Sequence, residues 1–270
     1  MSRSAPRDPA GDLLAAITEI AERAGAVILE HYAQGAAVEV RAKADASPVT
    51  AADEAAEDVI LEALAALTPE IPVVSEEAAA AGHVPDVSGG TFWLVDPLDG
   101  TKEFLSRNGE FTVNIALVEQ GVPVAGVVHA PARALTWTGA KPLDESAPAT
   151  AGVAETGGPG RDICARPLPA GGAVVVASRR HGSGEIFDAF LADYIVTKRI
   201  TAGSSLKFCL VADGTADLYP RFGRTMEWDT AAGHAVLRAA GGKVLTADGV
   251  PLTYAKPGFE NPFFIAYGRG

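Results

Sequence analysis

The feature that most constrains this chain is the stretch Trp93-Leu-Val-Asp96-Pro97-Leu98-Asp99-Gly100-Thr101-Lys102-Glu103-Phe104. The apolar run from Thr91 to Val95 predicts a short buried strand, brought to a stop by an acid, a proline, a second acid and a glycine. Asp96 and Asp99 stand three apart across a proline-containing turn, a spacing from which both carboxylates and the carbonyl of Leu98 can converge on one hard cation. Gly100 permits a close backbone approach, and the N–H groups of Gly100, Thr101 and Lys102 are placed to open a short helix facing an anion. The same residues also spell an ordinary turn, because Asp-Pro and Asp-Gly pairs are common where a strand ends. The rest of the chain has to decide between these readings.

With 270 residues, 48% of them hydrophobic, the chain can bury one large core or two smaller ones. Its net charge of −12 argues against nucleic acid or an anionic membrane as the main partner, since both call for a basic surface. An acidic protein that handles phosphates needs divalent cations or a local basic pocket. Cys164 and Cys209 cannot build a disulfide framework, and no charged-then-apolar leader precedes the first helix, so a reducing, cytoplasmic setting is expected. No apolar run approaches the roughly 18–20 residues that a bilayer span requires.

Along the chain, residues 1–10 read as a polar tail. Leu13, Ile17, Ile20, Ala24, Val27 and Ile28 then recur at helical spacing up to Gly35. Val38–Lys43 alternates like a strand, residues 44–48 form a loop, and a second helix runs from Thr50 to Thr68. Thr50-x-x-Asp53 fits a capping box, which by itself accounts for Asp53. Ile71–Ser75 predicts a strand ending in Glu76-Glu77, a pair that reads as a solvated corner unless the neighbouring strand end brings Asp96 and Asp99 beside it. Phe111–Glu119 and Val122–His129 flank Gln120-Gly121 as an antiparallel hairpin, with Trp137 on a third strand. Lys141–Gly172 lacks periodicity and reads as an excursion and domain junction.

Beyond it, strands at 173–177, 194–198, 216–219 and 243–245 alternate with helices at 185–192, 205–212 and 228–240, the pattern of an α/β layer. Asp229 falls in the first turn of the last helix, where stabilisation of the helix dipole would suffice to explain it. His234 is expected to be a packed, hydrogen-bonded histidine.

Taken together, Asp96-Pro97-Leu98-Asp99-Gly100-Thr101, upstream Glu76-Glu77 and downstream Trp228-Asp229-Thr230-Ala231-Ala232-Gly233 resemble the inositol monophosphatase superfamily of metal-dependent, lithium-sensitive phosphatases. Asp99–Phe104, Arg107–Leu117 and Gly203–Leu210 look more narrowly like its CysQ branch of 3'(2'),5'-bisphosphate nucleotidases. The resemblance implies a layered α/β/α/β/α sandwich, divided into an α+β part over residues 1–165 and an α/β part over 166–270. It implies that Glu76, Asp96, the Leu98 carbonyl, Asp99 and Asp229 hold two or three Mg²⁺ ions and face the substrate. Oxygen-only ligands favour Mg²⁺ over Zn²⁺.

Glu76 and the Thr101 hydroxyl are the candidates to orient or deprotonate the attacking water, and Asp53 matches a position that joins an extra metal or acts as base. The N–H groups of Gly100 and Thr101 would hold the phosphate. Lys207 and Arg221, with Ser204 and Ser205, would hold a second, non-reacting phosphate.

The activity implied is hydrolysis of adenosine 3',5'-bisphosphate (PAP) to AMP and phosphate, with the sulfated nucleotide PAPS as a further substrate, in sulfur metabolism. An inositol or sugar phosphatase of the same superfamily is the alternative enzyme, and a regulatory protein-binding role the alternative of another class. The expected partner is a small nucleotide, with monomer or homodimer left open. So is peripheral attachment to the cytoplasmic side of the inner membrane.

Overall fold

The structure, a computed structural model, describes residues 9–34, 40–42, 48–144, 149–179 and 183–270. The expected polar tail up to residue 8, the loop at 44–47 and the flanks of the expected strand at 38–43 lie outside these residues. Helix α1 (Pro9–Ala33) is followed by a two-stranded ribbon of β1 (Val40–Ala42) and β2 (Pro48–Thr50), and then by α2 (Ala51–Leu67). Ile17, Ala21, Ala24 and Ile28 of α1 and Ala52, Ala56, Ile60 and Leu64 of α2 are fully buried at spacings of three and four residues. Each large aliphatic buried this way contributes about 1.5–3 kcal/mol. Thr50 and Asp53 form the expected capping box, with the Thr50 N–H donating to Asp53 Oδ2 at 2.8 Å and the Ala52 N–H to Thr50 Oγ1 at 3.2 Å.

The next strands are β3 (Val73–Ser75), β4 (Thr91–Asp99), β5 (Thr112–Glu119), β6 (Val122–Ala130), β7 (Leu135–Ala140), β8 (Thr150–Glu155) and β9 (Gly160–Asp162), with α3 (Glu76–Ala80) after β3 and α4 (Thr101–Leu105) after β4. They make one seven-stranded sheet in chain order, antiparallel except for β3 beside β4. Both faces are covered, so the central strands read as continuous apolar runs rather than alternating ones. Trp93, Val95, Val113, Ile115 and Val127 pack toward α1 and α2, whereas Phe92, Leu94, Ala116, Val118 and Val128 face the opposite layer.

That layer is α6 (Leu206–Ala212) and α7 (Ala231–Ala239), which follow α5 (Glu185–Leu191) in the chain. A second sheet lies beyond, formed by β10 (Ala173–Ala177), β11 (Val196–Thr201), β12 (Leu218–Arg221), β13 (Lys243–Thr246) and β14 (Phe264–Tyr267) in the order β11-β10-β12-β14-β13. Its outer face carries α5 through Phe187 and Leu191, packed on Ala173, Val175 and Leu218. The layers are therefore α1α2, seven strands, α6α7, five strands and α5: the expected α/β/α/β/α sandwich. No described helix is long and apolar enough to cross a membrane, and both cysteines are free.

Several expectations need correcting. β4 does not stop at Val95; its ladder with β5 continues past a bulge, from Asp96↔Asn114 to Asp99↔Thr112. Lys141–Gly172 is not without structure, because β8 and β9 extend the sheet there. Their pairing is carried by backbone hydrogen bonds, with only Ala151 and Val153 buried on β8 and all of β9 exposed, so no apolar alternation announces them. The strand expected at 194–198 runs over 196–201, where its parallel register with β10 places it. The helix expected from Trp228 begins at Ala231, so Asp229 sits in the turn before α7 rather than in its first turn. β14 had no counterpart in the sequence reading, though it lies between β12 and β13 and completes the second sheet.

Candidate active site

The bulge in β4 is what makes the site. On a regular strand, residues three apart point to opposite faces, so Asp96 and Asp99 would be separated by the sheet. One extra residue at the bulge resets the alternation. Asp96 shares its parity with Phe92 and Leu94 and faces the α6α7 layer; Leu98 turns back to pack with the α1α2 core, and Asp99 returns to the inner face. Pro97 occupies the one stretch of the strand where the ladder is interrupted and no N–H is required. The Leu98 N–H donates to Asp96 Oδ1 at 3.1 Å, fixing that carboxylate.

Across this strand end, Glu76 opens α3, whose Ala78 N–H is held by Glu57 of α2 at 3.2 Å. Asp229 arrives from the opposite side, its Oδ2 accepting the Met226 N–H at 2.8 Å. Ligand oxygens of Glu76, Asp96 and Asp229 all lie within 4.8 Å of one another. Burial, followed by the charges of Asp99 and Glu76, pushes the Asp229 carboxyl up to about 8. Three oxygen donors of like charge converging in this way fit a hard divalent cation, which would relieve their repulsion.

Asp99 stands beside this group rather than within it. Its Oδ2 accepts from Ser205 Oγ at 3.0 Å and Asn114 Nδ2 at 3.3 Å. Burial raises its pKa, against the opposing effects of the Lys207 charge and these two donors. Leu98 and Asp99 nonetheless line the same cavity of about 720 Å³ as Glu76, Asp96, Thr101 and Asp229.

Thr101 is linked to Asp53. The hydroxyl donates to Asp53 Oδ1 at 3.2 Å while Oδ2 accepts both the N–H and hydroxyl of Thr50, at 2.8 and 2.6 Å. One carboxylate thus caps α2 and orients the threonine, so the capping and catalytic readings of Asp53 are compatible. Gly100 turns the chain between Asp99 and Thr101 with φ +91°; a Cβ there would stand 2.1 Å from Ser204 Oγ, so both the turn and the packing require glycine.

A second, smaller cavity of about 160 Å³ adjoins the first through Asp99, Gly100, Lys102, Glu103 and Asp229, and is walled by Ser204, Lys207 and Arg221. Ser204 Oγ donates to the Asp99 carbonyl at 2.8 Å, and the Ser205 hydroxyl lies between Asp99 Oδ2 and the Asp229 carbonyl, 2.8 Å from the latter. Lys207 is buried and gives its ammonium to the carbonyls of Ser204 and Ala202; desolvation lowers its pKa to about 8. Arg221 donates one terminal nitrogen to the Arg224 carbonyl at 2.9 Å, and its Nε is buried with no hydrogen-bond partner. An orphaned guanidinium N–H at a cavity wall fits an anion.

Sequence reasoning missed Asn114, which bridges Asp99 and Ser205, the latter at 2.8 Å. Its signal was present: an asparagine amid the apolar run Val113–Val118. His234 behaves as expected, its Nδ1 3.0 Å from the Tyr254 hydroxyl and its pKa lowered to about 3 by burial. With Thr230 and Asn261 it braces the turn that carries Asp229; Tyr254 and Asn261 both donate to Thr230 Oγ1, at 3.3 and 3.1 Å.

Residues 11–262 match the model of the inositol monophosphatase family. The 3'(2'),5'-bisphosphate nucleotidase CysQ of Escherichia coli O157:H7 is 46% identical over 255 residues, covering 93% of this chain and 98% of that protein. Among solved structures, CysQ from Bacteroides thetaiotaomicron superposes with a TM-score of 0.79 at 36% identity, over 96% of this chain and 98% of that one. An inositol monophosphatase from Anabaena gives 0.72 at 27% identity, over 95% and 90%.

Proposed function

The chain belongs to the inositol monophosphatase family, and from that premise we propose that it is a 3'(2'),5'-bisphosphate nucleotidase, hydrolysing the 3'-phosphate of PAP to give AMP and phosphate. The observation that carries this reading is the convergence of Glu76, Asp96 and Asp229 at the mouth shared with a second cavity bearing an unpartnered arginine N–H. A substrate with two phosphates matches two adjoining cavities, one acidic and one partly basic. PAPS, which keeps the 3'-phosphate, is a further substrate of the same site.

Glu76, Asp96, the Leu98 carbonyl, Asp99 and Asp229 are the proposed ligands of two or three Mg²⁺ ions. When bound, these supply the positive charge that a phosphomonoester dianion needs before a nucleophile approaches. The chain's own groups do the rest. Thr101, its proton committed to Asp53, presents its lone pairs to a water and holds it in line with the phosphorus; Asp53 receives the proton through the threonine, and Glu76 orients the same water. The N–H groups of Gly100 and Thr101 hold the reacting phosphate. Arg221 and Ser204 line the smaller cavity toward the 5'-phosphate, with Lys207 contributing charge and fixing the loop, whereas Ser205 is buried against Asp99, Asn114 and the Asp229 carbonyl and does not line it.

The division into parts at residues 165 and 166 is proposed on the change of sheet between Asp162 and Ala173. Inhibition by Li⁺, a cytoplasmic setting and a role in sulfur metabolism belong to the same reading. Phosphate release from PAP and from inositol monophosphate under Mg²⁺ tests it: kcat/KM is expected to be at least about tenfold higher for PAP. The reverse preference would replace the nucleotidase reading with that of an inositol phosphatase.

A further inference from the structure

Glu110, just before β5, is buried and lies outside the metal cluster, yet its carboxylate gathers three donors from distant segments. Oε1 accepts from Arg133 at 2.7 Å; Oε2 accepts from Arg179 and from the N–H of Gly203 at 2.8 Å. Arg133 belongs to the turn after β6, Arg179 follows β10, and Gly203 with Ser204 walls the smaller cavity. Burial works against the charge, but these hydrogen bonds and the two guanidinium groups hold the carboxyl below its ordinary range.

The loop has no slack around this contact. A Cβ at Gly203 would stand 2.8 Å from the Glu110 carbonyl and 2.7 Å from Glu103 Cγ, and Ser204 adopts a left-handed φ of +49° that a serine rarely takes. A backbone held in this region persists only where its surroundings over-determine it. Here they comprise Glu110 on the Gly203 N–H, Lys207 on the Ser204 carbonyl, and the Asp99 carbonyl on the Ser204 hydroxyl.

We propose that Glu110 is a positioning residue for substrate recognition, a charged clasp that sets the Gly203–Ser204 wall of the smaller cavity against the Asp99–Gly100 turn. This rests on the nucleotidase reading, because the wall matters only for a substrate that reaches past the reacting phosphate. Removing the charge lets the loop relax and loosens the site for the second phosphate, while the metal cluster and the Asp53–Thr101 pair stay in place.

The test compares Glu110→Gln, Glu110→Asp and Arg133→Gln with the wild type, on PAP and on 4-nitrophenyl phosphate, with melting temperatures recorded alongside. Glu110→Gln is expected to raise KM for PAP at least about tenfold with kcat within about threefold, and to leave kcat/KM for 4-nitrophenyl phosphate within about threefold. Glu110→Asp keeps the charge but cannot reach Gly203, so the same KM shift is expected. Arg133→Gln removes one cation while leaving the Gly203 bond, and KM for PAP should stay within about twofold despite lower stability.

If both Glu110 variants fold and KM for PAP is unchanged, or if KM follows the melting temperature equally in all three, the clasp has no role in recognition and the proposal fails. If either Glu110 variant does not fold, the other decides by the same criterion; if neither folds, the role is structural and the proposal is overturned. A wild type that hydrolyses 4-nitrophenyl phosphate but not PAP overturns the nucleotidase reading, and this inference with it.

Discussion

Asp229 carries an electrostatic conflict in the metal-free site. Its carboxyl, pushed to about 8 by burial and by Asp99 and Glu76, is protonated in the metal-free fold at pH values where the unfolded chain has already released that proton. The folded state binds more protons between pH ~4 and ~8, so this residue makes stability fall as pH rises through that window. Asp229→Asn should therefore raise the melting temperature of the metal-free protein, by an increment that grows with pH up to about 8. The same change deletes a proposed ligand and should lower kcat/KM by about 100-fold or more, some 2.7 kcal/mol of transition-state stabilisation. Thermal melts across pH, paired with phosphate-release assays, check both signs; a variant that is less stable at pH 8 would contradict the assignment.

Among the elements, α7 packs tightly against the seven-stranded sheet. It lies directly on β6 and β7 because those strands place Gly126 and Gly139 beneath it: a Cβ at Gly139 would stand 2.6 Å from Val236 Cα, and one at Gly126 2.9 Å from the Ala232 carbonyl. Gly139→Ala forces helix and sheet apart and should cost about 1–3 kcal/mol in urea denaturation. Gly160→Ala on the exposed strand β9, where the nearest atom would be 3.8 Å away, should stay within about 0.5 kcal/mol. Equal effects would show that the helix does not rest on the sheet as described. Helices α1 and α2 were legible from their 3.6-residue periodicity and capping box because local spacing alone creates an apolar face. Strands β8 and β9 were not, since they bury almost no apolar side chains and are held by backbone pairing, and β14 was not, since it is set between β12 and β13 by the sheet order. The start of α7 was misplaced because Asp229 accepts the Met226 N–H and closes a turn of its own, a competition between side chain and helix that composition does not reveal.

At the level of the whole molecule, the proposed ligands come from two layers: Asp96 from the seven-stranded sheet and Glu76 from the start of α3 that follows β3, and Asp229 from the turn entering α7 in the inner helical layer. A cation bound between them stabilises the assembled fold and not the unfolded chain. Mg²⁺ at about 100 times its Kd should add roughly 2.7 kcal/mol, read as a rise in melting temperature that Asp229→Asn largely abolishes. A melting temperature indifferent to Mg²⁺ would leave the acidic cluster without a cation. By itself the sequence determined the chemistry available here: the paired acids around Pro97, the glycine that follows them, the capping box at Thr50, and the motifs by which the family was legible. Those are properties of neighbouring residues and their spacing. Only the tertiary structure decided which face each acid meets, because that depends on a bulge set by the partner strand. Likewise, the joining of Glu110 to Gly203, and of Asp53 to Thr101, depends on backbone segments that become neighbours only once the layers have packed.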